Sequence, residues 1–271
     1  MSLELMYITN RTDVAMVADK YGVDRVWIDL ETLGKEARQK NFDSVKSHHT
    51  ISDIEKIAPI LKRAKMMVRV NPWNEGSKDE INAVINAGAE LVMLPMWTTV
   101  SEADAFIDAV AGRAKVSLLL ETIGAEKCLD EVLKLGNIDE IHIGLNDLHI
   151  QYGLKFMFEL LANGKVEEIV RKISSSNIPY GFGGVGKVGE GTLPAESIIK
   201  EHYRLGSRQV ILSRSFCNTD IITDINDIEA VFKGNISKFR EYESKVSSLS
   251  QDEYSDNHRF VQECVRKIVG T

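Results

Sequence analysis

Eight short runs of apolar and β-branched residues punctuate this chain: Leu5–Thr9, Arg25–Glu31, Met66–Asn71, Leu91–Pro95, Lys115–Glu121, Glu140–Gly144, Tyr180–Gly184 and Gln209–Arg214. They read as unbroken apolar segments rather than strict alternations, the pattern of a parallel sheet buried on both faces. Between them lie stretches of helical periodicity. In 51–65, Ile54, Ile57, Ile60 and Leu61 form one apolar stripe, and 101–110, 126–135, 166–174 and 195–205 read the same way. Gly88, Gly136 and Gly206 follow such stretches, where a left-handed cap is easiest for a residue without Cβ. Strand-then-helix units repeated eight times predict a (β/α)8 TIM barrel. A doubly wound open sheet is the alternative, but no GxGxxG turn follows the first strand.

The chain has 271 residues, which suits one such barrel of about 250 residues with a modest extension. The expected division is a barrel over 1–246 and a C-terminal helical extension over 247–271. After Ser247 the sequence turns polar and loop-like. A short last helix, His258–Val269, then carries Phe260, Val261, Cys264, Val265 and Ile268 on one side, to pack on its own barrel or on a neighbouring subunit. A net charge of −7 and the absence of any basic run exclude a nucleic-acid footprint. Apolar runs such as Leu91–Met96 and Val116–Leu120 are too short to cross a membrane. The first residues show no basic n-region or cleavage site. Cys128, Cys217 and Cys264 are odd in number and form no CxxC, as expected of thiols in a reducing cytoplasm. The expectation is a cytoplasmic protein.

Active groups of a TIM barrel sit at the C-terminal ends of the strands and in the loops that follow. Those positions hold Asp29 and Glu31, Arg69 and Asn71, Pro95, Glu121, Asn146 and Asp147, a glycine-rich loop, and Arg214. Glu121 and Asp147 come from neighbouring strands and can face one cavity. Two such carboxylates repel, and their pKa values rise unless a cation intervenes. Oxygen-only ligation completed by water and substrate suits Mg²⁺ or Mn²⁺ better than Zn²⁺. Carboxylates at strand ends also cap the helices that follow, so the structural role stands open beside the metal role.

Five segments occur in one order: Val26-Trp-Ile-Asp-Leu-Glu31, Val68-Arg-Val-Asn-Pro-Trp73, Gly88-Ala-Glu-Leu-Val-Met-Leu-Pro-Met96, Leu120-Glu-Thr122 and Ile143-Gly-Leu-Asn-Asp-Leu148, with 26 residues from Glu121 to Asp147. In these the chain resembles the HpcH/HpaI aldolase and citrate lyase β-subunit superfamily of metal-dependent TIM barrels, over about residues 20 to 150. The resemblance implies that Glu121 and Asp147 bind the metal. It implies that Arg69 contacts a keto oxygen and stabilises the enolate, and that the backbone around Gly144, Asn146 and Asp147 holds a substrate carboxylate. Arg69 is otherwise a structural partner of Asp29 or Glu31. The implied activity is a Mg²⁺- or Mn²⁺-dependent carbon–carbon lyase joining or cleaving a 2-oxo acid such as pyruvate and an aldehyde or acyl partner, in a homo-oligomer. A citrate-lyase-like CoA-ester lyase, a citrate-forming synthase and a non-catalytic metal- and acid-binding barrel are the other readings.

One departure matters. Where the aldolase branch places an acid/base His after the Glu of the second strand, this chain has Thr32; the citrate-lyase Asp-Leu-Glu-Asp is matched only as Asp29-Leu30-Glu31. Candidates for the missing proton carrier are the His48-His49 pair, with His49 preferred, then Glu31 and His149. His142, inside strand six, reads as a core histidine. The loop Gly181–Gly191 holds six glycines, including a weak GxGxxG match at Gly184–Gly189, and Arg214 stands between Ser213 and Ser215. Loops seven and eight bind phosphate in many such barrels, so a phosphorylated or acidic sugar-like substrate is one reading; a merely flexible loop, with Arg214 paired to an acidic neighbour, is the preferred one.

Overall fold

Strands form at all eight expected places: β1 (Glu4–Ile8), β2 (Arg25–Asp29), β3 (Lys65–Arg69), β4 (Leu91–Leu94), β5 (Lys115–Leu120), β6 (Glu140–Ile143), β7 (Tyr180–Val185) and β8 (Gln209–Leu212). In this computed structural model, which describes residues 2–34 and 49–270, they close into one parallel barrel in sequence order. The last seam pairs Glu4, Leu5 and Met6 with Gln209, Val210 and Ile211. The expected (β/α)8 barrel with a C-terminal helical extension is therefore what the chain forms.

Two apolar cores explain the unbroken strand pattern. One lies between the strands and the surrounding helices. The other fills the barrel with Met6, Trp27, Met67, Leu91, Met93 and Leu119. Strand residues of both parities are thus buried. Beneath the inner core, Arg25 at the start of β2 reaches across to Glu140 at the start of β6, Nη1 to Oε1 at 2.6 Å. Ser117 Oγ donates to the same oxygen at 3.0 Å, and Glu4 pairs with the other side of the guanidinium. A buried ion pair of this kind gives register more than net stability. It closes the N-terminal end of the barrel.

The helices are α1 (Thr12–Tyr21), α2 (Ile51–Ile57), α3 (Ser77–Asn86), α4 (Val100–Val110), α5 (Ile123–Lys127), α6 (Leu129–Val132), α7 (Leu145–Gln151), α8 (Glu159–Ala162), α9 (Lys165–Ser174), α10 (Ala195–Arg204), α11 (Ile225–Val246) and α12 (Gln251–Val269). Three differ from the sequence reading. The helix expected over 51–65 stops early, because Pro59, without an N–H, turns its end into the 3-10 segment Ala58–Ile60. The stretch 126–135 is two short helices joined at Cys128. The polar segment after Ser247, expected as a loop, is mostly helix: α12 begins at Gln251. Ser250 and Glu253 form a capping box there, Ser250 N donating to Glu253 Oε2 at 2.8 Å and Glu253 N to Ser250 Oγ at 3.3 Å.

The last helix packs on its own barrel, against α10 and α8. Val261 and Val265 are buried, whereas Phe260 and Ile268, read from sequence as part of the same packing side, stay exposed. A polar knot at Glu201 of α10 pins the helix. This fully buried carboxylate accepts from Arg204 Nε at 2.9 Å and Asn257 Nδ2 at 3.0 Å, and lies 3.0 Å from His258 Nδ1. No helix among the described residues is long and apolar enough to cross a membrane. Glu201→Ala strips three donors of their shared acceptor, and is expected to cost about 2–4 kcal/mol. Urea unfolding should show the loss, and amide exchange should show α12 opening before the barrel.

Candidate active site

The C-terminal end of the barrel opens into a cavity of about 830 Å³, the size of a small-molecule site. Its floor is the top of the inner core, at Trp27, Leu119, His142 and Ile211, and its rim is formed by the strand ends.

Arg69 ends β3 directly beside Asp29 of β2, with which it is in register. Its Nε and Nη2 each donate to one Asp29 oxygen at 2.8 Å, and Nη2 lies 3.2 Å from Glu31 Oε2. The guanidinium carbon stands 5.3 Å from the centre of the Trp27 ring. The ion pair weighed from sequence is therefore present. Burial opposes the Arg69 charge, but Asp29, Glu31 and then Glu121 more than offset it and hold the guanidinium charged beyond its usual range. Asp29 and Arg69 line the cavity; Glu31, expected to point into the mouth, is buried behind the guanidinium and does not form part of the wall. Asn71 latches the second loop instead of facing the cavity. Its Oδ1 accepts from the backbone N–H groups of Thr32 and Leu33 at 2.9 and 3.0 Å, and its Nδ2 donates to Glu80 at 2.8 Å.

Glu121 lies between β5 and α5. Thr122 caps α5 by accepting from Ala125 N at 2.9 Å and ties back to Trp97 O at 2.6 Å, which leaves the preceding Glu121 turned into the barrel mouth. Its Oε1 accepts from Met96 N at 3.1 Å. Met96 itself adopts a left-handed φ of 54°, a conformation that costs a non-glycine residue about 1–2 kcal/mol. Asp147 sits in the first turn of α7, and Gly144 precedes that helix. A Cβ on Gly144 would fall 2.7 Å from Glu121 Cβ and 2.8 Å from Oε2, so only glycine lets this turn pass beside the carboxylate. Burial, and next the Asp147 charge, push the Glu121 carboxyl well above the ordinary carboxylate range, with Arg69 pulling the other way. Among the described residues no group of three or more His, Cys, Asp or Glu could hold a metal ion. The donor set on offer is this carboxylate pair, and its chemistry fits a hard cation that fills its other positions with water and ligand.

Of the histidines, His49 lines the cavity and accepts from Asp29 N through Nδ1 at 2.9 Å, which puts the ring proton on Nε2. His48 lies outside the described residues. His149 is buried with Nδ1 3.2 Å from the Leu145 carbonyl of its own helix and does not face the cavity. His142, read as a core residue, is fully buried but also lines the cavity floor. Of the glycine-rich segment, Gly183, Gly184, Gly186, Glu190 and Gly191 line one wall, with Ser213, Arg214 and Ser215 beside them. Ser213 Oγ and Ser215 Oγ are 2.8 Å apart. Asn146 and Asp147 both line the cavity. Two features had no sequence signal beyond a neighbouring proline or glycine: the inverted Met96 backbone, and the turn of β7 at Gly183.

Solved structures show the same fold at low identity. The HpcH/HpaI aldolase from Desulfitobacterium hafniense DCB-2 superposes with a TM-score of 0.64 and 12% identity, covering 84% of this chain and 93% of that one. The citrate synthase SbnG superposes at 0.62 with 14% identity, covering 84% and 94%. Macrophomate synthase superposes at 0.58 with 15% identity, covering 90% and 85%. A search of curated proteins finds no match. The family model of HpcH/HpaI aldolase/citrate lyase matches residues 5–160, more than half of the chain and all of the strand ends that carry Arg69, Glu121 and Asp147, and the chain belongs to that family.

Proposed function

We propose that this chain is a Mg²⁺- or Mn²⁺-dependent carbon–carbon lyase of the aldolase type, acting on pyruvate or a related 2-oxo acid and on the aldehyde adducts of that acid. The observation that carries the reading is the pairing of buried Glu121 with half-buried Asp147, close enough for the Asp147 charge to raise the Glu121 carboxyl, beside a guanidinium fixed by Asp29. Glu121 and Asp147 would hold the cation, which supplies a Lewis acid for the ketone.

The chain's own groups do the rest. Arg69 spends Nε and Nη2 on Asp29 and Glu31, which leaves Nη1 to donate to the oxygen that gains charge as the enolate forms. The first-turn N–H groups of α7, at Leu145, Asn146 and Asp147, have no intrahelical acceptor and stand at the wall to hold the substrate carboxylate. His49, with Nδ1 already accepting from Asp29 N, enters as an N–H donor rather than as a base. Glu31, behind Arg69, acts by fixing the guanidinium.

Proton NMR of pyruvate in D₂O tests this directly. Loss of the methyl signal should require both protein and Mg²⁺ and stop with EDTA. Arg69→Lys, which keeps the charge but not the fork, should slow exchange by about 10²–10³-fold. Exchange that persists in Glu121→Gln at the wild-type rate would overturn the reading.

The raised Glu121 carboxyl predicts a second result. Its ionisation costs folding free energy above the unfolded carboxyl's range, so with EDTA wild-type stability falls as pH rises. Glu121→Gln keeps an oxygen for Met96 N and removes that loss. At about pH 8 in EDTA the variant should melt roughly 2–4 °C above wild type, and added Mg²⁺ should raise the wild-type midpoint alone.

A further inference from the structure

The cavity is far larger than a three-carbon 2-oxo acid needs. The six heavy atoms of such an acid, at the ~30 Å³ of a water molecule apiece, fill roughly 180 Å³ of about 830 Å³. The walls above the floor differ in character. Beyond β8 and β1 the lining includes polar side chains such as Arg11, Asn218 and Thr219. Beyond β6 and β7, Leu145, Phe156, Met157, Phe158, Leu193 and Ile198 line it, all joined to the outer apolar core. Four of the six are buried, whereas Phe156 and Met157 are half-buried and keep apolar surface at the wall.

This wall is built and braced. Lys155, the one charged residue in 154–158, does not line the cavity; its Nζ donates to the Val269 carbonyl of the last helix at 3.3 Å. Glu159 Oε1 accepts from the Lys155 and Phe156 N–H groups at 2.7 and 2.8 Å. The Phe156 and Phe158 rings meet edge-on with centres 5.4 Å apart. Behind them α12 packs on α8, where Gln262 Nε2 donates to the Ala162 carbonyl at 3.1 Å. The wall also joins the candidate site. Leu145 precedes Asp147 by two residues in the first turn of α7. A Cβ on Gly183, where the β7–β8 pairing slips, would fall 2.8 Å from Leu145 Cδ1. Apolar lining thus begins beside the carboxylate pair. In a concave site such surface stays wet until a ligand of the same character covers it, and the thioether of Met157 adapts to the shape that arrives.

We propose that the Phe156–Met157 wall seats the substituent of the aldehyde partner, and that this substituent is apolar and of about the size of an aromatic ring. That the group belongs to an aldehyde rests on the lyase reading above. That an apolar group is seated here rests on the wall itself.

The test compares kcat/KM for addition of pyruvate to 3-phenylpropanal and to propanal, which share the reacting end and differ by the ring. Wild type should favour 3-phenylpropanal by about 10–100-fold, the range that burying an apolar group of this size supplies. Met157→Asp, which sets a hydrated carboxylate into the wall, should cut that preference at least about fivefold. A wild-type preference below about tenfold, or one that the substitution cuts by less than about fivefold, overturns the proposal. Deuterium exchange of pyruvate separates the two readings: exchange without the preference leaves the lyase reading standing and overturns this one alone. If exchange is absent, or neither aldehyde reacts, the seat is decided by binding to wild type labelled with ¹³C at the methionine methyl groups, Met157→Leu assigning the signal. The Met157 methyl resonance should move with 3-phenylpropan-1-ol and not with propan-1-ol at the same concentration. A resonance that moves equally with both alcohols, or with neither, overturns the proposal, whether or not Met157→Asp folds.

Discussion

At the open end of the barrel the Arg69 guanidinium stands among the carboxylates of Asp29, Glu31 and Glu121, and that cluster governs the architecture around it. Arg69 commits two of its three nitrogens to Asp29 and Glu31. Its charge pulls the Glu121 carboxyl down, but burial and the Asp147 charge outweigh that pull and hold the carboxyl well above the ordinary range. The chain keeps this arrangement with local sacrifices. Met96 accepts a left-handed backbone to aim one N–H at Glu121, and position 144 gives up a side chain so that the next turn can pass. An arrangement of this kind is costly and is held in place by its surroundings.

Stability and function occupy opposite ends of the same strands. Below, the inner apolar cluster and the Arg25–Glu140–Ser117 knot fill the barrel. Above, the cavity begins over the layer of Trp27, Leu119 and His142. The outer core and the Glu201 knot hold the helices and α12 to the strands, so the electrostatic cost at the mouth is carried by packing elsewhere. Eight parallel strands with both faces buried supply enough apolar contact to tolerate it.

The same division decides what the sequence makes legible. Strands buried on two faces write themselves as unbroken apolar runs, and so all eight are visible, as are Arg69, Glu121 and Asp147 where those runs end. Pairing between side chains is less visible. Glu31 and Asn71 stand at strand ends like the others, yet one turns onto Arg69 and the other onto the Thr32–Leu33 backbone. Backbone inversions leave almost no trace, since Met96 is followed by nothing that demands φ > 0, and the bulge at Gly183 hides within a glycine-rich run. The polar start of α12 misleads because a capping box and one buried asparagine stabilise a helix that composition alone reads as loop.

Arg69 shows why two readings of one residue need not compete. An unpaired arginine at a barrel mouth keeps several rotamers and must be ordered by its ligand, at an entropic cost. Held by a bidentate carboxylate, it presents its remaining nitrogen in one direction before anything binds, and an oxyanion forming there meets a donor that need not reorganise. Asp29 weakens the charge that Arg69 offers and sharpens where it is offered. For a guanidinium as buried as this one, fixed direction contributes more than the lost fraction of charge. The structural ion pair is thus the condition for the chemical role proposed for Arg69, and a substitution at Asp29 and one at Arg69 disturb the same interaction from its two ends.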